Sequence, residues 1–142
     1  MPTYSLTIIA VAALINLWLS LRCGQVRAKE KISHGDGGNA LLHRRMRAQL
    51  NFAENAPLIL LLTLGLDMTG HGGPLLWTTG GAFLIARVLH GLGMDLDNAN
   101  WMRGAGVGVT MLATLVLGGM ALYYTWIFMH GGGVPSTIGR AA

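Results

Sequence analysis

The chain has 142 residues, of which 52% are hydrophobic and only 11% are charged, and its formal net charge is +4. Soluble domains carry about 25% charged residues, so this composition, with a mean hydropathy of +0.49, argues against a soluble protein and indicates an integral membrane protein. The length fits a single membrane domain over residues 1–142. The only cysteine is Cys23, which excludes an intramolecular disulfide and any cysteine-based metal motif.

Four apolar segments follow one another along the chain, at about residues 4–21, 43–68, 75–94 and 103–129. Each approaches the ~20 residues that a helix needs to cross ~30 Å of hydrocarbon. Their apolar runs lack the alternation of barrel strands, so they predict helices. Short connections make consecutive helices antiparallel. The sequence therefore predicts an all-α fold, a four-transmembrane-helix up-down bundle.

Positive charge is concentrated between the first two segments, where seven of the ten Lys and Arg residues lie between Arg22 and Arg47. Short loops rich in Lys and Arg stay cytoplasmic, so we expect this loop inside and both termini outside. This topology explains the basic cluster better than binding to nucleic acid. The first segment has no cleavage site and is expected to remain as an anchor. The compact loops favour a bacterial inner membrane.

The second segment opens with a polar stretch, RRMRAQLNFAENAP. Positions three and four apart on a helix share one face, and this spacing recurs here. It predicts a polar stripe at the mouth of an apolar helix, formed by Arg44, Arg47, Asn51 and Glu54. Ionisable groups in such a place usually face a partner, a cavity or a ligand.

Other polar residues are expected at the same depth. Arg87 and His90 are three apart in the third segment, and Arg103 opens the fourth. Arg27 joins them if the first helix continues past the membrane edge. Glu54 either pairs with Arg87 as a buried salt bridge or serves a ligand. The remaining arginines have no obvious carboxylate partner in the membrane, so an anionic ligand would supply the missing charge.

Three further expectations concern the rest of the chain. Glycines in the fourth segment permit close helix approach and favour a homo-oligomer; they are Gly104, Gly106, Gly108, Gly118 and Gly119. Asp67 lies near the outer end of the second segment and is expected to be solvated. The histidines in or beside loops lack metal-ligand spacing, so no metal site is expected.

The stretch RMRAQLNFAENAPL resembles the signature of the MAPEG family, the membrane-associated proteins in eicosanoid and glutathione metabolism. Microsomal glutathione transferases and prostaglandin E synthase belong to this family. GQVR at residues 24–27 resembles the end of the family's first helix, and ARVLH at residues 86–90 resembles its third-helix motif. Arg103 falls where the family has a catalytic arginine. The resemblance covers nearly the whole chain.

This resemblance implies a homotrimer that binds glutathione as cosubstrate between subunits, with entry from the cytoplasmic side. It implies a glutathione transferase or peroxidase that acts on a lipophilic electrophile. Arg103 of the neighbouring subunit would hold the thiol as the nucleophilic thiolate, assisted by a helix N-terminus. The residues implied to bind glutathione are Arg27, Arg47, Asn51, Glu54, Arg87 and His90.

Two other functions stay open at this point. The chain departs from the pattern of its relatives at Leu50, Met94 and Val107. These departures favour a non-catalytic lipid-binding or scaffold membrane protein of the same fold. A small transporter ranks last, because no inverted repeat or broken helix pair is visible.

Overall fold

In the computed structural model, which describes residues 2–131, the chain forms four helices and, over that range, no strand. They are α1 (Thr3–Glu30), α2 (Ala40–Met68), α3 (Pro74–Gly93) and α4 (Trp101–His130). The prediction of an all-α four-helix bundle is confirmed. Three of the helices, α1, α3 and α4, are long and apolar enough to cross a membrane. The remaining helix, α2, has the length, but its first half is rich in polar residues.

The first helix is longer than its apolar run suggests, because it continues to Glu30 instead of ending near Leu21. It ends where Lys31 adopts a left-handed backbone conformation and its N–H donates to the carbonyl of Arg27. The extra turns pack on the start of α2 through a small apolar cluster that includes Cys23. The condition for placing Arg27 with the other site residues is thus met.

The core runs through all four helices and includes the fully buried Ile8, Ile59, Phe83 and Leu117, one from each helix. An apolar stripe on each helix faces this core. Many of the other apolar side chains of the four helices are exposed on the outside of the bundle, where a soluble protein would carry charge. This surface suits a hydrocarbon environment.

Glycines mark the closest helix approaches. Ile8 of α1 packs on Gly80 of α3, and Trp18 packs on Gly91. A Cβ added at Gly106 of α4 would lie 2.5 Å from a side-chain carbon of α3. Gly106 therefore serves packing within the chain, whereas the other glycines singled out in α4 have open space beside them in a single chain.

Helix lengths and contacts place α1 and α2 beyond the end of α3. At 1.5 Å per residue, the 20 residues of α3 span about 30 Å, close to the hydrocarbon thickness. The 28 residues of α1 and 29 of α2 span about 42–44 Å. Because Trp18 lies beside Gly91, residues 22–30 extend past the end of α3, together with the start of α2.

At the opposite end of the bundle, Asp67 connects the end of α2 to the start of α1. Its Oδ2 accepts a hydrogen bond from the backbone N–H of Ser5 at 2.8 Å, in the first turn of α1. A carboxylate there satisfies a free N–H group and meets the positive end of the helix dipole. The expectation that Asp67 is merely solvated is therefore wrong. Beside it, Tyr4 packs edge-on against Trp77 with ring centroids 5.5 Å apart.

Candidate functional site

Four helix termini meet at one end of the bundle: the last turns of α1 and α3 and the first turns of α2 and α4. We call this the basic end. The predicted site residues lie between this end and the middle of α2, namely Arg27, Arg47, Asn51, Glu54, Arg87, His90 and Arg103. The arginines here fall into two groups, according to whether a carboxylate of the described chain pairs with them.

Asp95, in the connection between α3 and α4, pairs with two arginines. Arg45 binds it through two parallel hydrogen bonds, from Nε to Oδ1 at 2.9 Å and from Nη2 to Oδ2 at 3.0 Å. Arg22 pairs with the same carboxylate and lies over the ring of Trp18, with its Cζ 4.5 Å from the centroid. The two parallel hydrogen bonds from Arg45 are a strong geometry for a guanidinium that binds a carboxylate. One loop residue therefore joins α1, α2 and α3.

The two arginines also set the protonation of Asp95. Partial burial acts to raise the pKa of this carboxyl group, but the hydrogen bond from Arg45 and the positive charge of Arg22 outweigh it. The pKa of Asp95 therefore lies below the ordinary range for aspartate. The group stays ionised at neutral pH.

Arg44 belongs to the paired group as well. Its Nε donates to the carbonyl of Met94 at 3.2 Å, and its guanidinium pairs with Asp97. Arg44 therefore faces a partner within its own chain, the loop after α3, which is one of the outcomes expected for the polar stripe. Asp95 and Asp97 were not expected at the site from the sequence, although the connection between α3 and α4 that carries them lies at this end.

Four other arginines form no ion pair within residues 2–131: Arg27, Arg47, Arg87 and Arg103. Arg27 contacts the Sδ atom of Met46 at 3.4 Å through Nη2. Arg47 is exposed, and so is Glu54 two turns further along α2. In this part of the chain the basic end thus has four unmatched guanidinium groups and one unmatched carboxylate.

The predicted salt bridge between Glu54 and Arg87 is not formed in the structure. Arg87 is only 2% exposed, and its Nη1 donates to Oδ1 of Asn51 at 2.6 Å. Its Nη2 donates to the carbonyl of Gly106, and its Nε has no partner in the described chain. The reason is the orientation of α2 about its own axis, which turns Asn51, and not Glu54, toward α3. Arg87 is therefore a buried cation held by neutral oxygens.

Arg103 stands in the first turn of α4, and its backbone is fixed there. Oδ1 of Asn100 accepts from the N–H of Arg103 at 3.1 Å, and Nδ2 of Asn100 donates to the carbonyl of Gly93 at 2.8 Å. Nδ1 of His90, itself buried, lies 3.4 Å from the carbonyl of Arg103. The sequence analysis did not single out Asn100. An Asn directly before an apolar helix is a capping signal that would have identified it.

A separate groove lies between the other ends of α2 and α4. It has a volume of about 890 Å³ and is lined mainly by apolar side chains, among them Leu58, Leu61 and Phe128. On α4 its lining begins at Ala121, which is 18 residues, or about 27 Å, from Arg103. Within one chain this groove is therefore distinct from the basic end.

Fold and site together define an integral membrane protein of four helices whose arginines outnumber its carboxylates at one end. The chain matches the MAPEG family over residues 5–123, which includes the greater part of every helix. It therefore belongs to the MAPEG family, as predicted from its motifs, and this family includes glutathione transferases and related membrane proteins. No curated protein and no solved structure gives a significant match.

Proposed function

We propose that this protein is a glutathione-dependent membrane transferase or peroxidase that acts on a lipophilic electrophile. One observation carries the proposal. The arginines expected to serve the ligand are those that no carboxylate of the described chain balances, namely Arg27, Arg47, Arg87 and Arg103. The arginines with carboxylate partners are Arg22, Arg44 and Arg45.

The charges of glutathione complement the unmatched groups. The tripeptide carries two carboxylates, one ammonium group and a thiol that ionises. We assign the carboxylates to Arg27 and Arg47, because guanidinium groups bind carboxylates in a fixed fork. Glu54 accepts from the α-amino group. Oδ1 of Asn51 accepts from Arg87, so Nδ2 of Asn51 is left to donate to the ligand.

Two residues on the proposed glutathione list are buried between α3 and α4. Arg87 contacts Asn51, and His90 lies beside the backbone of Arg103. We propose that they act on glutathione by holding these two residues. A buried, hydrogen-bonded framework of this kind keeps a binding geometry within the narrow tolerance that catalysis needs.

The proposed reaction begins with loss of the thiol proton to solvent. A nearby cation lowers a thiol pKa from about 8.5, and Arg103 at a helix N-terminus supplies that cation with added partial positive charge. The thiolate then attacks an electrophilic carbon, forming a carbon–sulfur bond while the leaving group departs with its electron pair. With a hydroperoxide, the thiolate attacks the terminal oxygen, the O–O bond breaks and the alcohol leaves after taking up a proton, which gives a sulfenic acid. A second glutathione thiol then attacks this sulfur, forming the disulfide and releasing water.

We further propose that a homotrimer completes the site, with Arg103 coming from a neighbouring subunit. One face of α2 stays uncovered in a single chain and repeats every three or four residues, through Arg47, Leu50, Glu54, Leu58 and Leu61. The unmatched charges of α2 lie on this face. A second copy seated there would enclose a ligand between subunits, on the side that the basic loop marks as cytoplasmic.

The first experiment measures glutathione binding by calorimetry on the purified protein in lipid nanodiscs. Arg47→Gln is expected to raise the Kd roughly 10- to 100-fold, because a charge-assisted hydrogen bond contributes about 1.5–3 kcal/mol. Arg44→Gln is the matched control, one turn earlier on α2 but paired with Asp97, and should leave the Kd unchanged. Equal effects of the two substitutions would refute the assignment of the unmatched arginines.

The second experiment measures conjugation of glutathione to a generic aromatic electrophile. Arg103→Ala is expected to remove most turnover, because the thiolate loses its cation, while size-exclusion chromatography shows an unchanged assembly. Wild-type turnover in this variant would reject the role given to Arg103.

A non-catalytic lipid-binding or scaffold protein is the second candidate. Leu50, which is 45% exposed, places an apolar side chain between Arg47 and Glu54, where the family pattern has a basic residue. That change removes a contact to an anionic ligand. Tight glutathione binding without turnover on any lipophilic electrophile would favour this candidate.

A further inference from the structure

The side chain of Asn100 connects the turn that carries Arg103 to the end of α3. We infer that Asn100 is a positioning residue for Arg103, an inference that rests on the proposed function. Asn100 touches neither glutathione nor the electrophile in this scheme. It acts by fixing the backbone from which the Arg103 guanidinium reaches the sulfur.

Asn100 does more than cap a helix. An ordinary N-cap side chain only accepts a hydrogen bond from the first turn, as Asn39 does from the N–H of Leu42 at 2.9 Å. Asn100 accepts from the N–H of Arg103 and also donates to the carbonyl of Gly93 at 2.8 Å. That carbonyl is in the last turn of α3, where carbonyls lack helical partners. Asn100 therefore bridges two helices.

The neighbours of Asn100 confirm how closely this turn is fitted. A Cβ added at Gly93 would lie 2.8 Å from Oδ1 of Asn100 and 3.0 Å from Cγ of Arg103. The stem of Arg103 thus lies directly against the end of α3. His90 stands on the carbonyl side of the same residue. The backbone N–H, the carbonyl and the stem of Arg103 each have a fixed neighbour, which leaves the guanidinium as the part that extends.

This restraint matters because the proposed chemistry is electrostatic. A donor helps only when it is already aimed at the developing charge, and a displacement of about 1 Å can cost 10²-fold in rate. Loss of the bridge to Gly93 would let the first turn of α4 shift against α3. Asn100 is therefore expected to affect the turnover of bound glutathione and not its affinity.

The test compares Asn100→Ala with Asn39→Ala, which removes the same kind of cap from α2 without a bridge. Conjugation is measured across pH on the purified, lipid-embedded protein. Asn100→Ala is expected to lower kcat about 10- to 100-fold, with KM for glutathione within about twofold. Its pH midpoint should move up toward the value of a free thiol, about 8.5. Asn39→Ala should change neither. Asn100→Ser keeps a cap acceptor but lacks the amide donor, and should show the same loss if the alanine variant does not fold.

The outcomes separate the inference from the proposed function. An altered pH profile confined to the Asn100 variants supports the positioning role. Wild-type kcat and pH profile in those variants, with a loss of thermal stability equal to that of Asn39→Ala, would reduce Asn100 to a structural cap and overturn the inference. Absence of glutathione binding by the wild-type protein would reject the proposed function, and the inference with it.

Discussion

Replacing Asp95 by asparagine removes the carboxylate that balances two arginines at the basic end. The side chain of Arg22 is 8% exposed, that of Arg45 is 17% exposed, and that of Asp95 is 30% exposed. Breaking a fully buried pair costs about 3–5 kcal/mol, because the remaining charge is left uncompensated. Asp95 is partly solvated, and Arg45 keeps a hydrogen bond to the carbonyl of Arg22 at 2.9 Å. We therefore expect Asp95→Asn to lower the free energy of unfolding by about 2–3 kcal/mol.

The measurement is reversible unfolding by sodium dodecyl sulfate in mixed micelles, followed by far-ultraviolet circular dichroism at fixed protein concentration. Asp97→Asn is the matched control, since it makes the same chemical change two residues along the same connection. The side chain of Asp97 is 81% exposed. Exposed ion pairs contribute less than about 1 kcal/mol, so this control should lose correspondingly little stability.

The pH dependence follows from the lowered pKa of Asp95. A carboxyl group whose pKa is lower in the folded than in the unfolded state stabilises the fold fully above the unfolded value, about 3.9. That contribution is lost as the pH falls through the lower, folded-state pKa. The difference between wild type and Asp95→Asn should stay constant from pH 5 to 8 and shrink in stronger acid, at pH values below about 4.

The reasoning would be refuted by equal losses in the two variants. It would also be refuted by a difference between wild type and Asp95→Asn that does not change on acidification. Either result would mean that Asp95 does not hold the buried Arg22 in its charged, paired form.

Two further substitutions test the packing and the opposite end of the bundle. Asp67→Ala removes the acceptor for the N–H of Ser5 and should lower the free energy of unfolding by about 1 kcal/mol in the same assay; no loss would mean that water replaces the carboxylate. Gly106→Ala places a Cβ 2.5 Å from Cβ of His90 and should cost about 1–3 kcal/mol through overpacking. Gly108→Ala, with open space beside it, should be neutral or slightly stabilising, and a similar loss in both glycine variants would contradict the packing argument.

The four-helix architecture was largely predictable from hydropathy. Apolar runs of membrane length, joined by short connections, permit little except antiparallel helices. The end of α1 was harder, because its last turns are polar and depend on a neighbour for their helical state. Residues 22–30 are held by contacts with α2 that include Cys23 and Leu42, and contacts between distant segments do not show in a window of sequence.

The sequence predicted that the candidate residues lie toward one end of the bundle, but it did not predict which side chains pair there. The order and spacing of the motifs identified the family and brought Asn51, Arg87 and Arg103 to one end. Which oxygen meets Arg87 depends on a small rotation of α2, which decides between Asn51 and Glu54. No periodicity fixes such a rotation to that accuracy. The partners of Asp95 were likewise invisible, because a loop aspartate carries no signal of the helix that it will bind.

Residues 22–30 of α1 and the start of α2 project beyond the end of α3. Nine residues of α1 rise about 13 Å above the level at which α3 stops. Their tip, at residues 31–39, contains glycines in left-handed backbone conformations, and a tight turn of that kind presents a defined shape. An antibody fragment raised against this tip would bind the protein away from the detergent that surrounds its apolar surface. It would add the soluble mass that single-particle imaging of so small a bundle requires.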